Sequence, residues 1–193
     1  MIRKISLYLL PIVIVLTHLT SCGGDDEQSN PASQSLKYVQ EGFKKADSGN
    51  YKGAIQDFSK AIEINADDTL AYNNRAIAYH NVGNYSLAIQ DYTKLIKMDE
   101  KNADAYNNRA LAKVEIGDLR GAIADYTKAV EFKPTDPKIL LNRGIALYQL
   151  NYLDSACLDW SKAGEYGDQR AYELISTYCS ALKAKPSFGA QDS

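Results

Sequence analysis

Ala71-Tyr72-Asn73-Asn74-Arg75-Ala76 returns 34 residues later as Ala105-Tyr106-Asn107-Asn108-Arg109-Ala110. Over the same interval Ala88-Ile89-Gln90-Asp91-Tyr92-Thr93-Lys94 becomes Ala122-Ile123-Ala124-Asp125-Tyr126-Thr127-Lys128. A fixed period of this size marks stacked copies of one supersecondary unit, each burying its apolar face only against its neighbours. Such a stack favours a scaffold with an extended binding face over an enzyme with a pocket. Sliding the period along the chain gives four registers: 35–68, 69–102, 103–136 and 137–170.

Four columns keep their character across the registers. Gly42, Ala76, Ala110 and Gly144 are small, and Ala54, Ala88, Ala122 and Ala156 are invariant alanine. Phe58, Tyr92, Tyr126 and Trp160 are aromatic, and a fourth column reads Ala61, Leu95, Ala129, Ala163. Between the small and the alanine columns lies a turn: Gly49-Asn50-Tyr51, Gly83-Asn84-Tyr85, Gly117-Asp118-Leu119 and Asn151-Tyr152-Leu153. Glycine or asparagine ends a helix there because it tolerates the left-handed conformation. Apolar spacing of three and four, as in Ala122, Tyr126, Ala129 and Val130, is helical. Two antiparallel helices then approach over the small residues, and the aromatic fills the space beside them.

These columns resemble the tetratricopeptide repeat, whose pattern runs Trp/Tyr, Leu-Gly, Tyr, Ala, Phe, Pro. The resemblance covers residues 35–170 and implies an all-α, right-handed solenoid of four helix–turn–helix repeats. The chain departs from the pattern in places. The terminal proline survives only as Pro134, Leu140 stands where Tyr38, Tyr72 and Tyr106 stand, and Lys45 and Lys113 occupy a column that is usually aromatic. Helical spacing over Ala171-Tyr172-Glu173-Leu174-Ile175-Ser176-Thr177-Tyr178-Cys179 predicts a C-terminal capping helix, 171–185, with a disordered tail over 186–193.

At the front, Met1-Ile2-Arg3-Lys4 is a basic head, followed by an apolar stretch from Ile5 to Leu19. This reads as a secretory signal peptide over 1–21, too short to span a bilayer comfortably. Leu19-Thr20-Ser21-Cys22 resembles the bacterial lipobox. The resemblance implies that Cys22 becomes the lipid-bearing first residue, with a diacylglyceryl group on sulfur and an acylated (palmitate-type) amine. Residues 22–34 then read as a flexible polar tether. By the same resemblance, Gly23 rather than Asp beside the cysteine implies outer-membrane sorting in the bacterial cell envelope, facing the periplasm or the surface.

Loss of Arg3 and Lys4 leaves 20 basic against 24 acidic side chains. No basic patch marks a nucleic-acid partner. Cys157 and Cys179 fall at about the same height on adjacent helices. They read either as a disulfide stapling the cap to the last repeat or as two small buried thiols. The only histidine past the signal is His80, so neither a zinc cluster nor a Ser/His/Asp set is present, and no glycine-rich phosphate loop exists. The expectation is a non-enzyme with no cofactor and no metal. Arg75, Arg109 and Arg143 stand level with Asp91, Asp125 and Asp159, and read as ion pairs within each repeat; a charged ligand site is the alternative. In the first repeat Glu41 faces Asp57.

The family lines its concave face with the first helix of each repeat. Carried over, the groove comprises Leu36, Val39 and Phe43; then Leu70, Asn73, Asn74, Ile77 and His80; then Asp104, Asn107, Asn108, Leu111 and Val114; then Lys138, Leu141, Asn142, Ile145 and Tyr148. The asparagines can donate to and accept from a peptide backbone, and the aliphatics offer shallow pockets. Family members that clamp a C-terminal carboxylate use lysine, asparagine and arginine at positions where this chain has Val39, Phe43, Asn74, Asp104 and Asn108. The adjacent frame, Asn73, Ile77, Asn108, Lys138 and Asn142, presents no clamp either. The expected function is an envelope lipoprotein that binds a segment of another protein as adaptor or assembly factor. A permanent structural subunit of an envelope complex or homo-oligomer is the alternative. Glycan binding is a third reading, for which few of the 14 tyrosines remain free.

Overall fold

The computed structural model describes residues 30–179. The helices run α1 (Pro31–Asp47), α2 (Tyr51–Ile64), α3 (Thr69–Asn81), α4 (Tyr85–Met98), α5 (Ala103–Glu115), α6 (Leu119–Phe132), α7 (Pro137–Gln149), α8 (Leu153–Glu165) and α9 (Gln169–Leu174), the last continuing as a π-helical turn, Ile175–Cys179. Among the described residues there is no strand. Each helix packs on the next in chain order, so the elements stack as hairpins in one row.

Local chemistry sets the boundaries. The side chains of Asp68, Asn102, Asp136 and Asp168 accept backbone N–H groups at the starts of α3, α5, α7 and α9. At the other end, α1, α3, α5 and α7 all close through one left-handed residue: Gly49, Gly83, Gly117 or Asn151, with φ of 78°, 79°, 80° and 64°. The following N–H turns back to the third-last helical carbonyl, as Asn84 does to Tyr79 at 2.8 Å. The even helices are capped less evenly. Asn50 and Asp118 accept from Gly53 and Gly121, where a Cβ would collide with the capping side chain. Asn84 and Tyr152, which face Leu87 and Ser155 three residues on, make no such bond.

The repeated columns form the core. Ala54, Ala88, Ala122 and Ala156 are fully buried, as are Phe58, Tyr92, Tyr126 and Trp160. The size of the small residue matches its aromatic partner. A Cβ on Gly42 would lie 2.6 Å from the Phe58 ring, and one on Gly144 would lie 2.5 Å from Trp160 Nε1. Ala76 and Ala110 share their clusters with Tyr92 and Tyr126 instead.

The arginines link three helices at once. Arg75 binds Asp91 through Nε and Nη2, each at 2.8 Å, and its Nη1 donates to Ser59 of the preceding repeat at 3.0 Å. Arg109 repeats this with Asp125 and Thr93, and Arg143 with Asp159 and Thr127. Burial alone would lower the Arg75 pKa, but the hydrogen bond and charge of Asp91 outweigh it and the net shift is upward. The two lysines in the aromatic column belong to the same system: Lys113 Nζ lies 2.8 Å from Asp125, and Lys45 Nζ lies 2.6 Å from Asp57. Lys45 therefore supplies the cation that Glu41 cannot, and Glu41 pairs with Lys44.

This arrangement distinguishes two substitutions. Arg143→Met leaves Asp159 with no cation among the described residues, because Leu147 stands where Lys113 stands in the repeat before. We expect it to cost about 2 kcal/mol. Arg109→Met leaves Asp125 paired to Lys113 and should cost only about 1 kcal/mol. Urea unfolding of the two variants measures the difference, and equal losses would contradict the shared-cation arrangement.

The first and last helices depart from the sequence expectations. The tether was expected to run to residue 34, yet α1 begins at Pro31 behind Asn30, whose side chain accepts the Ala32 N–H. Asparagine before proline is a helix start in its own right, since proline at the first position sacrifices no helical bond. At the far end, α8 closes on Gly167 (φ 98°), with the Asp168 N–H on Ala163 O at 2.9 Å, a tighter exit than the earlier even helices make. The next helix therefore starts two residues early. Asp168, Ala171 and Tyr172 repeat Asp68, Ala71 and Tyr72, and Ala171 is as buried as Ala71. The described part of the cap thus matches the start of a repeat's first helix. Cys157 and Cys179 are joined in a disulfide that ties its π-helical turn to α8. The expected signal peptide, Cys22 and most of the expected tether lie outside the described residues, as do 180–185 and the expected tail.

Candidate functional site

The first helix of each hairpin turns one face outward, and that face carries two ladders. Asn74, Asn108 and Asn142 occupy one position of successive repeats, while Phe43, Ile77, Leu111 and Ile145 occupy another. The neighbouring helices are close enough for Asn142 Nδ2 to donate to Asn107 Oδ1 at 3.4 Å, and Asn107 Nδ2 donates in turn to Asn108 Oδ1 at 3.1 Å. Asn74 Nδ2 donates to Leu70 O, and among the described residues its Oδ1 makes no bond. Ile77 and Ile145 stay more than one-third exposed. The two isoleucines lie in line with the half-buried amides of Asn74, Asn108 and Asn142.

Between α3 and α5 the ladders border a cleft of about 210 Å³ lined by Ile77, His80, Tyr92, Asn108 and Leu111. It holds one side chain rather than a small-molecule ligand, whose sites start at roughly 300 Å³. His80 is fixed edge-on against Tyr85, with ring centroids 5.1 Å apart. Tyr92 is a lining residue that the sequence did not single out, because its column is otherwise packing. Burial, and then the charge of Asp91, hold its phenol far above the ordinary value, so this wall is neutral.

Two of the proposed groove residues are not on the surface. Leu141 is 1 % exposed and packs with Trp160, Ala171 and Cys179 beneath the cap. Val39, 2 % exposed, packs with Phe58 and Ala71. Both stand in the column of Asn73 and Asn107, which turns toward the next hairpin, so an apolar residue there is drawn into the junction. Asn73, Asn107 and Val114 are half-buried, Phe43 leans edge-on against Phe58, and Lys138 is exposed. At the C-terminal end Tyr148 lies against Tyr178, ring centroids 4.6 Å apart, with Trp160 behind both. Tyr178 lies on the turn that the disulfide ties to α8.

The first clamp frame holds no cation, and the adjacent frame holds one, the exposed Lys138. Val39 is buried, and Asp104 is itself bound to Lys133 at 2.7 Å. Among the described residues no group of His, Cys, Asp or Glu side chains could hold a metal ion, and no helix is long and apolar enough to cross a membrane.

Comparison with known proteins agrees with this architecture. One family model, described as TPR repeat, matches residues 45–83 and 111–151, and a second, tetratricopeptide repeat, matches 69–102. No curated protein matches the chain. Among solved structures, a crystal structure of MamA protein is 21 % identical with a TM-score of 0.72, over 79 % of this chain and 84 % of that one. A tetratricopeptide repeat protein from Parabacteroides merdae is 19 % identical with a TM-score of 0.70, over 78 % of this chain and 62 % of that one. The second TPR domain of human RPAP3, in complex with an HSP70 peptide, is 24 % identical with a TM-score of 0.58, over 61 % of this chain and 98 % of that one. At these identities the likeness is one of fold.

Proposed function

Taking a solenoid of stacked tetratricopeptide repeats as the premise, we propose that this chain is a non-catalytic adaptor that binds a segment of a partner protein along its first-helix face. The observation that carries the reading is the cleft of Ile77, His80, Tyr92, Asn108 and Leu111, set within the two ladders. It offers an apolar seat beside amides that can hold a peptide backbone. The similar RPAP3 domain, which holds a partner's peptide, supports the same use of the fold.

We further propose that the chain is a bacterial envelope lipoprotein, anchored at the outer membrane by acyl chains on Cys22 and serving assembly or recruitment there. The support is the basic head, the apolar run and Leu19-Thr20-Ser21-Cys22. Burial of acyl chains at about 0.8 kcal/mol per methylene makes a multi-chain anchor stable.

In-cell crosslinking and pulldown tests both parts. The native chain is compared with Ile77→Glu/Leu111→Glu, which replaces exposed or half-buried positions and should keep full helicity by circular dichroism. We expect a partner captured by the native chain and lost from the variant. Equal capture by both would move the binding surface off this face. A Cys22→Ser chain should leave the membrane fraction; retention there would defeat the anchor.

A further inference from the structure

The outward stripe of α8 differs in kind from those of α2, α4 and α6. Residues four apart share a helix face. On α2 the stripe is Lys52, Gln56 and Lys60; on α4 it is Ser86, Gln90 and Lys94; on α6 it is Arg120, Ala124 and Lys128. The same columns on α8 hold Asp154, Leu158 and Lys162, all exposed, with Leu158 at 56 %. Among the described residues neither Asp154 nor Lys162 has an ion partner, whereas Lys94 pairs with Asp67 and Lys128 with Glu131. The helix dipole favours an acid at the start of α8 and a base at its end. That does not account for the stripe, because α2, α4 and α6 form with no acid in the first turn and the dipole asks nothing of Leu158.

Turned end for end, the α8 stripe is its own complement. Two α8 helices set antiparallel with Leu158 against Leu158 bring Asp154 of each copy to Lys162 of the other, and the exposed Ser155 to Ser161. The stripes of α2 and α6, turned the same way, would set base against base, and that of α4 offers no carboxylate. Beside Leu158 a cleft of about 260 Å³ opens between α6 and α8, lined also by Ile123, Leu147, Ser155 and the mutually paired Arg143 and Asp159. Leu147 gives it an apolar wall where the repeat before has Lys113. We propose that α8 is a homodimer contact, in which a second copy of this chain packs its own α8 antiparallel about Leu158. Such a contact uses one surface twice about a two-fold axis. Leu158 of the second copy meets Leu158 and the rim of the cleft, and supplies the affinity. The two Asp154–Lys162 pairs add little energy at an exposed site, but they fix direction and register.

Sedimentation equilibrium of the full chain, with its disulfide intact, tests this over a range of concentration. The native chain should dimerise. Leu158→Gln, which installs the residue of α2 and α4, should weaken the dimer about tenfold. Asp154→Lys and Lys162→Asp should each weaken it by about the same factor, since the two-fold axis turns one reversal into two repulsive contacts. Mixed together, those two variants should form a heterodimer as tight as the native dimer. Mixing alters neither chain's own helix, so repaired folding and the helix dipole cannot produce that recovery. A native chain that stays monomeric overturns the proposal. A dimer indifferent to Leu158→Gln or to the single reversals overturns it too, as does a mixture in which no heterodimer forms.

Discussion

Trp160→Ala should lower the unfolding free energy by about 4 kcal/mol, toward the top of the range for large core deletions. Trp160 is among the largest fully buried side chains, and it joins Leu140, Leu141, Ala156 and Ala171 in one cluster. Nothing nearby can refill the space. Gly144 has no side chain, and it is glycine because the indole lies where its Cβ would be. Trp160→Phe is the informative companion. The indole N–H is buried without an acceptor, so the phenyl ring loses area but also removes an unpaired donor. We expect it to cost about 1 kcal/mol, judged against the same terms. Urea denaturation gives both values; a phenylalanine variant as unstable as the alanine one would refute this account of the α7–α8 contact.

Loss of the disulfide should cost about 3 kcal/mol, since its loop spans 22 residues. Cys157→Ser/Cys179→Ser should unfold at lower urea than the native chain, and a reductant should shift the native chain to match while leaving the variant unmoved. The first structure to loosen is α9 with its π-helical turn, which carries Tyr178 away from Tyr148 and uncovers Leu141. A native chain indifferent to reductant, or one whose Cys157 and Cys179 titrate as thiols when denatured unreduced, would contradict the bridge.

The repeat made most of the fold legible. Gly49, Gly83, Gly117 and Asn151 mark the turns because one backbone conformation demands them, and the Arg–Asp columns sit level because both helices share one rise per residue. What escaped is what periodicity averages away. The start of α1 is fixed by Asn30-Pro31, outside the period. Lys45 and Lys113 looked like lapses from an aromatic column, yet each pairs with the aspartate of the facing helix. Leu141 shares its column with Asn73 and Asn107, and only the cap decides that it is buried. The cap was hard to place because the exit of α8 removes two residues, so Ala171-Tyr172 fell out of register with Ala71-Tyr72 and Ala105-Tyr106. Of the candidate site, the ladders are visible as spacings. The cleft is not, because its floor is Tyr92 from a second helix.

The arginine forks make the stack behave as a line of coupled segments with unlike ends. Arg75, Arg109 and Arg143 each fasten a hairpin to the one before it, so among the described residues no fork stands on the outer side of the first hairpin. The last hairpin is closed by a covalent bond. Such a line is held unevenly, with its weaker constraint at α1 and its stronger one where α8 is bridged to the turn after α9. The ladder position at Phe43 then lies at the less constrained end, and that at Ile145 lies on the hairpin that the covalent bond closes.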